Sequence, residues 1–396
     1  MAAERLIMSS GVFGRAAQVG PAVPAPRQVR LGGVGVTPVG RARIYVCGIT
    51  PYDVTHLGHA ATFVWADTLA SVFDTVGAHA EVCRNVTDVD DVLLRAAQSE
   101  GRYYDEFALS QEYLFTRSMD ALRVATPGHG PRARHYVPAV QQLTQALLDA
   151  DLAYERDGWV RFRGADVPGR AGLDREEALL RSRAYGDDPD DASKDDPFDV
   201  TLWQPSTGQD PAWPSPWGWG RPGWHAECAA MAMAVLGPGV DVLVGGDDLA
   251  YPHHAYQAAM VEGAASTAPF ARARLHVGTV RLDGERMAKS TGNLVLVDDV
   301  LTNCSPAALR LLLLDRRYGD SWDFDRAAVE VAAARLDRLY AAAATGAGSR
   351  ADQDDAAHDR VLDALCDDLD VPTALAVAEE AGGSAARLLV KVLRLG

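Results

Sequence analysis

Hydrophobic residues form short apolar runs in some stretches of the chain and recur at helical spacing in others. Residues 43–47 (RIYVC) are an apolar run that predicts a short buried strand. Residues 60–76 carry apolar side chains at helical spacing and predict an α-helix, and residues 79–85 (HAEVCRN) predict a second strand. A strand, a helix and a strand in succession are typical of the start of an α/β layer.

The same patterns return after an interruption in the middle of the chain. Residues 100–150 predict helices, whereas residues 151–222 read as irregular, with an acidic run (GDDPDDASKDD) and a Trp- and Pro-rich piece (WPSPWGWGRPGW). We therefore predict an insertion between two halves of a sheet domain. After the insertion, helices are predicted at 225–236 and after the PHH of 252–254. Strands are predicted at 240–246 and at 274–282. Residues 305–396 predict helices, broken by a polar linker at 344–357.

Composition narrows the class of protein. The chain has 396 residues, of which 48% are hydrophobic and 23% charged, as in ordinary globular proteins. No apolar run approaches the roughly 20 residues that span a membrane. The N-terminus lacks the apolar core of a secretory signal, so we expect a cytoplasmic protein with no membrane partner. Five widely spaced cysteines argue against a disulfide scaffold. A net charge of −16 gives no support to a broad nucleic-acid-binding surface.

The first candidate for chemistry is the segment 47–60 (CGITPYDVTHLGHA), which joins the first predicted strand to the first predicted helix. A helix that begins after a Gly-containing turn offers free backbone N–H groups and the positive end of its dipole to an anion. His56 and His59 face the same side of that helix start because they are three residues apart. They could donate hydrogen bonds to a triphosphate. The alternative is a capped helix start with surface histidines.

Two further segments gain meaning only together with the first. Residues 284–293 (GERMAKSTGN) hold Lys289, one of three lysines among 38 basic residues. A lone ammonium on a Ser- and Gly-rich loop suits a pyrophosphate group, although a solvent loop explains it equally well. Cys47, Cys228 and one histidine of the PHH could form a three-ligand zinc site. Their spacing alone favours buried structural cysteines instead.

Taken together, these motifs resemble those of a known enzyme family. HLGHA is similar to the HIGH signature of class I aminoacyl-tRNA synthetases, and RMAKS to their KMSKS loop. CGITPYD, NVTDVDD, GRPGWHAEC, GGDDL, PHH and DDLDVPTAL resemble the cysteinyl-tRNA synthetase branch, from about residue 41 to about residue 380. Within that branch, CGITPYD…HLGHAAT and the short C-terminal part resemble the mycothiol ligases, which join cysteine to glucosaminyl-inositol.

The resemblance implies a fold and a domain order. The fold would be α/β, with a class I synthetase Rossmann-type nucleotide-binding domain, an insertion and a C-terminal helical domain. We expect an extended lead-in at 1–40, the two halves of the catalytic domain at 41–125 and 223–300, the insertion at 126–222 and the helical domain at 301–396. With little chain left for anticodon binding, we expect a monomer that does not bind tRNA.

The resemblance also implies a role for individual residues. Cys47, Cys228 and His253 would bind Zn²⁺, whose open position would take the substrate thiolate, and His56, His59 and Lys289 would activate ATP, supplied with Mg²⁺. Thr50 and Trp224 would hold the cysteinyl group. The remaining expected contacts of the cysteinyl adenylate are Gly48, Ile49, Thr62, Asn85, Val86, Thr87, Gly246, Asp247, Asp248 and Val280.

The implied reaction forms cysteinyl-AMP and pyrophosphate, after which the amine of an amino-sugar acceptor displaces AMP. Four departures from the family leave alternatives open. The loop reads RMAKS, Gln257 stands where the tRNA synthetases have a Glu ligand, GGDDL adds Asp247, and 184–189 (AYGDDP) replaces an ERGGDP-like segment. A paralogue with a different acceptor amine is therefore the second hypothesis. A binding module that has lost catalysis is the third.

Overall fold

A computed structural model describes residues 27–52, 55–208, 210–287, 291–345 and 351–396, and the side chains of all of these except 351–354. Lys289 and the first 26 residues of the expected lead-in lie outside the described residues. The strands are β1 Val29–Leu31, β2 Val34–Val36, β3 Arg41–Ile49, β4 His79–Val86, β5 Ala153–Arg156, β6 Trp159–Phe162, β7 Val200–Pro205, β8 Gly220–Pro222, β9 Val240–Gly246, β10 Ala271–Val277, β11 Val280–Leu282, β12 Glu285–Arg286 and β13 Trp322–Asp323.

Helices surround these strands. They are α1 Leu57–Thr75, α2 Asp91–Ser99, α3 Tyr104–Ala121, α4 Ala133–Asp149, α5 Val167–Arg170, α6 Arg175–Ala184, α7 Trp224–Leu236, α8 Ala255–Ala265, α9 Val297–Leu301, α10 Pro306–Leu314, α11 Arg326–Ala344, α12 Ala351–Cys366, α13 Val371–Ala381 and α14 Gly383–Val392. A 3₁₀ turn, Asp247–Leu249, and a π-helical turn, Ala250–His254, precede α8. Within this described part of the chain, no helix is long and apolar enough to cross a membrane.

The central sheet is parallel and has the order β10-β9-β3-β4. Side chains of a strand alternate between its two faces, and β3 shows this directly. Ile44 and Val46 pack into a core with α1 and the C-terminal helices, whereas Tyr45 and Cys47 pack into a second core with α7 and the insertion. Both faces of the sheet are therefore covered, as the α/β prediction requires.

Strand order reverses at β3 in this sheet. The unit β3–α1–β4 places β4 on one side of β3, and β9 returns on the other side. Such a reversal opens a crevice at the carboxyl ends of the strands, which is the usual ligand site of open α/β sheets.

The predicted irregular insertion contains a regular sheet, so that part of the prediction is wrong. Strands β5, β6, β7 and β8 form an antiparallel sheet in that order. Arg156 pairs with Trp159 around a two-residue turn in which Asp157 and Gly158 have φ values of 54° and 82°. An Asp-Gly pair is strongly preferred in such hairpin turns. The sequence thus carried a strand signal inside a segment whose charge and proline content suggested a loop.

Two other boundaries differ from the prediction. The strand predicted at 274–282 is divided at Gly278 into β10 and β11, and β11 pairs with β12 and β13 rather than with the central sheet. A Cβ at Gly278 would lie 2.3 Å from Asp320 O, so the backbones cross too closely for a side chain. Helix α12 begins at Ala351, inside the predicted linker, and its buried residues from Ala357 onward pack into the core between the C-terminal helices.

A buried ion pair joins the C-terminal helices to the catalytic layer. Arg310 of α10 donates to the carboxylate of Asp67 on α1 at 2.8 Å, and their side chains are 0% and 2% exposed. Arg310 also donates to the carbonyls of Leu122 and Leu393. Because the guanidinium has three acceptors in this apolar surrounding, it fixes the position of α10 against α1.

Candidate active site

A cavity of about 680 Å³ opens at the carboxyl end of the central sheet. All four parallel strands contribute to its wall near their carboxyl ends. Most residues expected from the sequence line it, namely Cys47, Gly48, Ile49, Thr50, His56, His59, Thr62, Asn85, Thr87, Trp224, Cys228, Gly246, Asp248, His253 and Val280. Val86 and Asp247 are not among the described lining residues, and Asp247 is exposed.

Two cysteines and a histidine meet on one side of this cavity. Cys47 near the end of β3, Cys228 on α7 and His253 in the π-helical turn have ligand atoms within 4.8 Å of one another. All three residues are at most 4% exposed. Among the described residues, no other group of three His, Cys, Asp or Glu side chains is close enough to hold a metal ion. Thiolates and a neutral imidazole are the donor set that Zn²⁺ favours.

Burial keeps Cys47 and His253 uncharged when no cation is present. It raises the pKa of the Cys47 thiol well above its ordinary value, with the Cys228 sulfur adding to the rise. It lowers the pKa of His253 well below its ordinary value, so the imidazole is neutral at pH 7. A neutral imidazole is ready to bind a metal, whereas the Cys47 thiol must first lose its proton.

Neighbouring rings hold His253 in place. Its Nδ1 lies 2.9 Å from Nδ1 of His225, and its ring stacks on that of Trp224 with centroids 4.0 Å apart. Burial lowers the pKa of His225 to about 3, so both rings are neutral and one of the two Nδ1 atoms must be the donor. When Nδ1 of His253 is the donor, its Nε2 is unprotonated and offers a lone pair to a metal ion.

Each sulfur has a side-chain amide beside it. Nδ2 of Asn85 donates to Sγ of Cys228 at 3.2 Å, and Oδ1 of Asn85 accepts from the N–H of Gly48 at 2.9 Å. Sγ of Cys47 lies 3.6 Å from Oε1 of Gln257, whose Nε2 donates to the carbonyl of Cys228 at 3.4 Å. Gln257 is 0% exposed, so both amides are part of the wall behind the cysteines.

His56 and His59 lie together at the start of α1. Their rings stack with centroids 3.9 Å apart, as the three-residue spacing predicts. His56 is the N-cap, with Nδ1 accepting from the N–H of Gly58 at 3.1 Å, so the proton of the neutral ring lies on Nε2. Burial, with a smaller effect of Arg286, lowers the pKa of His59 to about 4. The capped helix start predicted as the alternative is therefore present, and the capping histidine also lines the cavity, while phosphate binding stays a prediction.

Arg286, from the RMAKS loop, reaches across the cavity. It forms an ion pair with Asp248 at the end of β9. Tyr185 of the insertion lies next to this pair and stacks on Trp224, with ring centroids 6.0 Å apart and planes 12° apart. The first position of the loop, the GGDDL segment and the insertion thus meet at one point.

Residues of α2 and of the insertion also line the cavity, and the sequence did not indicate them. They include Asp90, Arg95, Tyr185, Asp187 and Gln204. Asp90 accepts from the N–H of Val92 at 2.7 Å, and burial raises its pKa to about 6. These residues are far apart along the chain and share no motif. Only Asp90 belongs to one, as the first residue of the DD in NVTDVDD.

Comparison with known proteins agrees with this architecture. A family described as tRNA synthetases class I (C) catalytic domain matches residues 36–334. An L-cysteine:1D-myo-inositol 2-amino-2-deoxy-alpha-D-glucopyranoside ligase of Streptomyces griseus is 41% identical over 371 residues, which cover 91% of this chain and 90% of the relative. A ligase with the same name from Nocardia farcinica is 43% identical over 368 residues, covering 90% and 86%. The chain belongs to this ligase family within the class I synthetases.

Solved structures of synthetases resemble the fold of this chain. Mycobacterium tuberculosis methionyl-tRNA synthetase in complex with methionyl-adenylate superposes with a TM-score of 0.65 at 15% identity, covering 90% of each chain. The ternary complex of Agrobacterium radiobacter leucyl-tRNA synthetase has a TM-score of 0.58 at 12% identity and covers 91% of this chain and 83% of the synthetase. This chain therefore has the class I synthetase fold, as the sequence predicted.

Proposed function

We propose that the protein activates L-cysteine with ATP and transfers the cysteinyl group to the amine of glucosaminyl-inositol, a step of mycothiol biosynthesis. The observation that carries this proposal is that two groups of side chains line the same cavity. The Cys47–Cys228–His253 group suits a thiol, and the His56–His59 pair at the start of α1 suits a phosphate. A cysteine thiol and an adenylate phosphate belong to the same intermediate, cysteinyl-AMP.

In the first step, the cysteine carboxylate attacks the α-phosphorus of ATP, bound with Mg²⁺, and pyrophosphate leaves. The positive end of the α1 dipole would face the phosphates. Because His59 is neutral at pH 7, the ring stabilises the developing charge as a hydrogen-bond donor rather than as a cation. Lys289 of the RMAKS loop would supply the positive charge.

Recognition of the thiol would depend on Cys47, Cys228 and His253. A Zn²⁺ ion held by these residues would bind the substrate as a thiolate and so reject serine, which an apolar pocket separates poorly. Trp224 and Thr50 would enclose the cysteinyl group. The Trp224 ring is fixed by its stacking on His253, and the Thr50 hydroxyl lies 2.7 Å from that of Thr87.

In the second step, the acceptor amine attacks the activated carbonyl carbon, and AMP leaves. We place the acceptor in the part of the cavity that α2 and the insertion line, which we call the acceptor lobe, because carboxylates, a guanidinium and an amide suit a polyol that carries an amine. Asp90 is the candidate base. A carboxylate with a pKa near 6 is ionised at pH 7 and can take the proton that the amine nitrogen loses as the amide bond forms.

The direct test combines ATP, Mg²⁺, cysteine and glucosaminyl-inositol and follows the cysteinyl amide by mass spectrometry together with AMP. We expect amide and AMP in equal amounts, and cysteine-dependent exchange of pyrophosphate into ATP. Cys228→Ser should abolish both reactions, whereas Cys366→Ser, buried between the C-terminal helices, should preserve both. Amide formation from serine at the same rate as from cysteine would contradict the proposed thiol selection.

A second candidate is the same activation with a different acceptor amine. Tyr185 and Asp187 favour it, since both lie in the divergent AYGDDP segment and both line the acceptor lobe. Pyrophosphate exchange without any cysteinyl amide of glucosaminyl-inositol would support this second candidate. Three expectations stay predictions from the sequence: that the protein is a monomer, that it does not bind tRNA, and that it acts in the cytoplasm.

A further inference from the structure

Two carboxylates in the wall of the acceptor lobe each have a buried cation behind them. Asp91, the first residue of α2, and Asp187, in the AYGDDP segment of the insertion, both line the cavity. Their side chains are 41% and 24% exposed, whereas those of the paired cations, Arg221 and Lys194, are 10% and 5% exposed. Neither carboxylate takes part in a step of the proposed reaction, so the chemistry alone does not explain their place in this wall.

The ammonium of Lys194 binds one oxygen of Asp187. Nζ of Lys194 donates to Oδ1 at 2.7 Å, whereas Oδ2 is shielded from bulk water and has no hydrogen-bond partner among the described residues. Burial raises the pKa of Asp187, and the hydrogen bond from Lys194 opposes that rise. A desolvated carboxylate oxygen without a partner is costly, so Oδ2 requires a donor from outside the chain.

Arg221 of β8 binds Asp91 in the same manner. Its Nε and Nη2 both donate to Oδ1 of Asp91, at 3.0 and 2.9 Å, and not to Oδ2. Its Nη1 donates to the carbonyl of Pro205 at 3.3 Å and lies 3.3 Å from a carboxylate oxygen of Asp210, so the guanidinium is itself fixed in the insertion. Each carboxylate is thus held through one oxygen, and its other oxygen is left for a ligand.

The chemistry of these oxygens defines the ligand. A carboxylate can only accept hydrogen bonds, so the ligand must be a donor. Because each carboxylate is paired with a cation, its charge is offset and the ligand need not be a cation. A neutral hydroxyl meets both conditions. Since one oxygen is carried by α2 and the other by the insertion, a molecule with several hydroxyls can contact both.

We propose that Asp91 and Asp187 bind hydroxyl groups of the acceptor through their Oδ2 atoms and thereby select an amine that is carried on a polyol. The inference rests on the proposed function, since it concerns the molecule that attacks cysteinyl-AMP. An amine without hydroxyl groups attacks the same intermediate but gains no binding energy from either carboxylate.

Two asparagine variants change only the atom that faces the ligand. Lys194 and Arg221 can only donate, so an asparagine at position 187 or 91 keeps its oxygen towards the cation and turns Nδ2 towards the lobe. A hydrogen-bond donor then stands where the acceptor oxygen was. The matched control is Asp188→Asn, because Asp188 is exposed and its Oδ1 accepts from the N–H of Asp190, as an asparagine oxygen also can.

The measured quantity is the specificity ratio, the rate of cysteinyl amide formation from glucosaminyl-inositol divided by the rate from methylamine, each at low acceptor concentration. Cysteinyl hydroxamate formed with hydroxylamine reports cysteine activation in the same samples, and thermal unfolding checks folding. We expect Asp187→Asn and Asp91→Asn each to lower the ratio by about 10- to 100-fold, because a hydrogen bond to a charged group is lost. Asp188→Asn should retain the wild-type ratio. A wild-type ratio in either folded variant would overturn the role of that residue, and if one variant does not fold the other decides alone.

The controls separate this inference from the proposed function. A wild-type protein that forms no cysteinyl hydroxamate would overturn both. If hydroxamate forms but glucosaminyl-inositol yields no amide, the proposed acceptor is wrong, and the ratio is measured with glucosamine in its place. A preference for glucosamine over methylamine that both asparagine variants lose would then support the inference, whereas no such preference in the wild type would overturn it.

Discussion

Replacing Gly48 by alanine tests how closely β3 and β4 approach behind the metal-binding group. A Cβ at Gly48 would lie 1.7 Å from the carbonyl oxygen and 2.8 Å from the carbonyl carbon of Asn85. Ordinary contact begins near 3.4 Å, so one strand must move by more than an ångström. The obstacle is the backbone of the neighbouring strand β4, which cannot rotate away as a side chain can. We expect Gly48→Ala to cost about 3 kcal/mol of unfolding free energy, the upper part of the range for overpacking.

The same displacement should reach the chemistry. Gly48 positions Asn85 through its N–H and follows Cys47 directly, so a shift of β3 moves two groups of the site at once. A misplacement of about 1 Å typically costs about 10²-fold in rate. We would measure urea unfolding and cysteine-dependent pyrophosphate exchange, with Gly130→Ala as control because a Cβ there meets nothing within 4 Å. Equal stability and exchange rates for the two variants would refute the reasoning.

Three further predictions concern charge. Lys289→Ala should slow adenylate formation by about 10²-fold, because one charge contact is lost. The control Lys391→Ala, in α14, should leave the rate unchanged. Stopped-flow measurement of pyrophosphate release tests this, and equal rates for the two variants would exclude Lys289 from the mechanism. Because the folded pKa of His59 is lowered to about 4, its contribution to stability is complete above pH 6.5 and is lost as the pH falls from there towards 4. His59→Asn should reduce the slope of unfolding free energy in this window, by at most about 1.4 kcal/mol per pH unit, and an unchanged slope would contradict the lowered pKa. Arg310→Met should destabilise the protein by about 3 kcal/mol, because it leaves the buried carboxylate of Asp67 without its main partner; a loss below about 1 kcal/mol in urea unfolding would show that the pair is not needed.

The local pattern of apolar residues predicts the strands of the central sheet and the helix α1 close to where the structure has them. The apolar runs around Val46 and Val244 became neighbouring parallel strands, and the predicted helix after His59 begins only a few residues earlier, at Leu57. A strand buried on both faces needs a continuous apolar run, and a helix that covers it needs apolar residues at helical spacing, so both leave a clear mark in the sequence. The pattern does not predict the sheet of the insertion, because its strands are short and only the turn at Asp157 marks one hairpin.

The sequence by itself determined the α/β layer, the order of the motifs and, through resemblance, the residues expected at the site. It could not decide whether Cys47 and Cys228, 181 positions apart, meet at one point or pack separately. Nor could it place Gln257 behind Cys47, or Tyr185 and Asp187 in the wall of an acceptor lobe. Those contacts depend on how α7, α8 and the insertion pack on one face of the sheet, which is set by many weak non-local interactions rather than by any local pattern. Tertiary structure alone therefore decided which polar groups share a cavity, because only packing brings distant side chains within a few ångströms of one another.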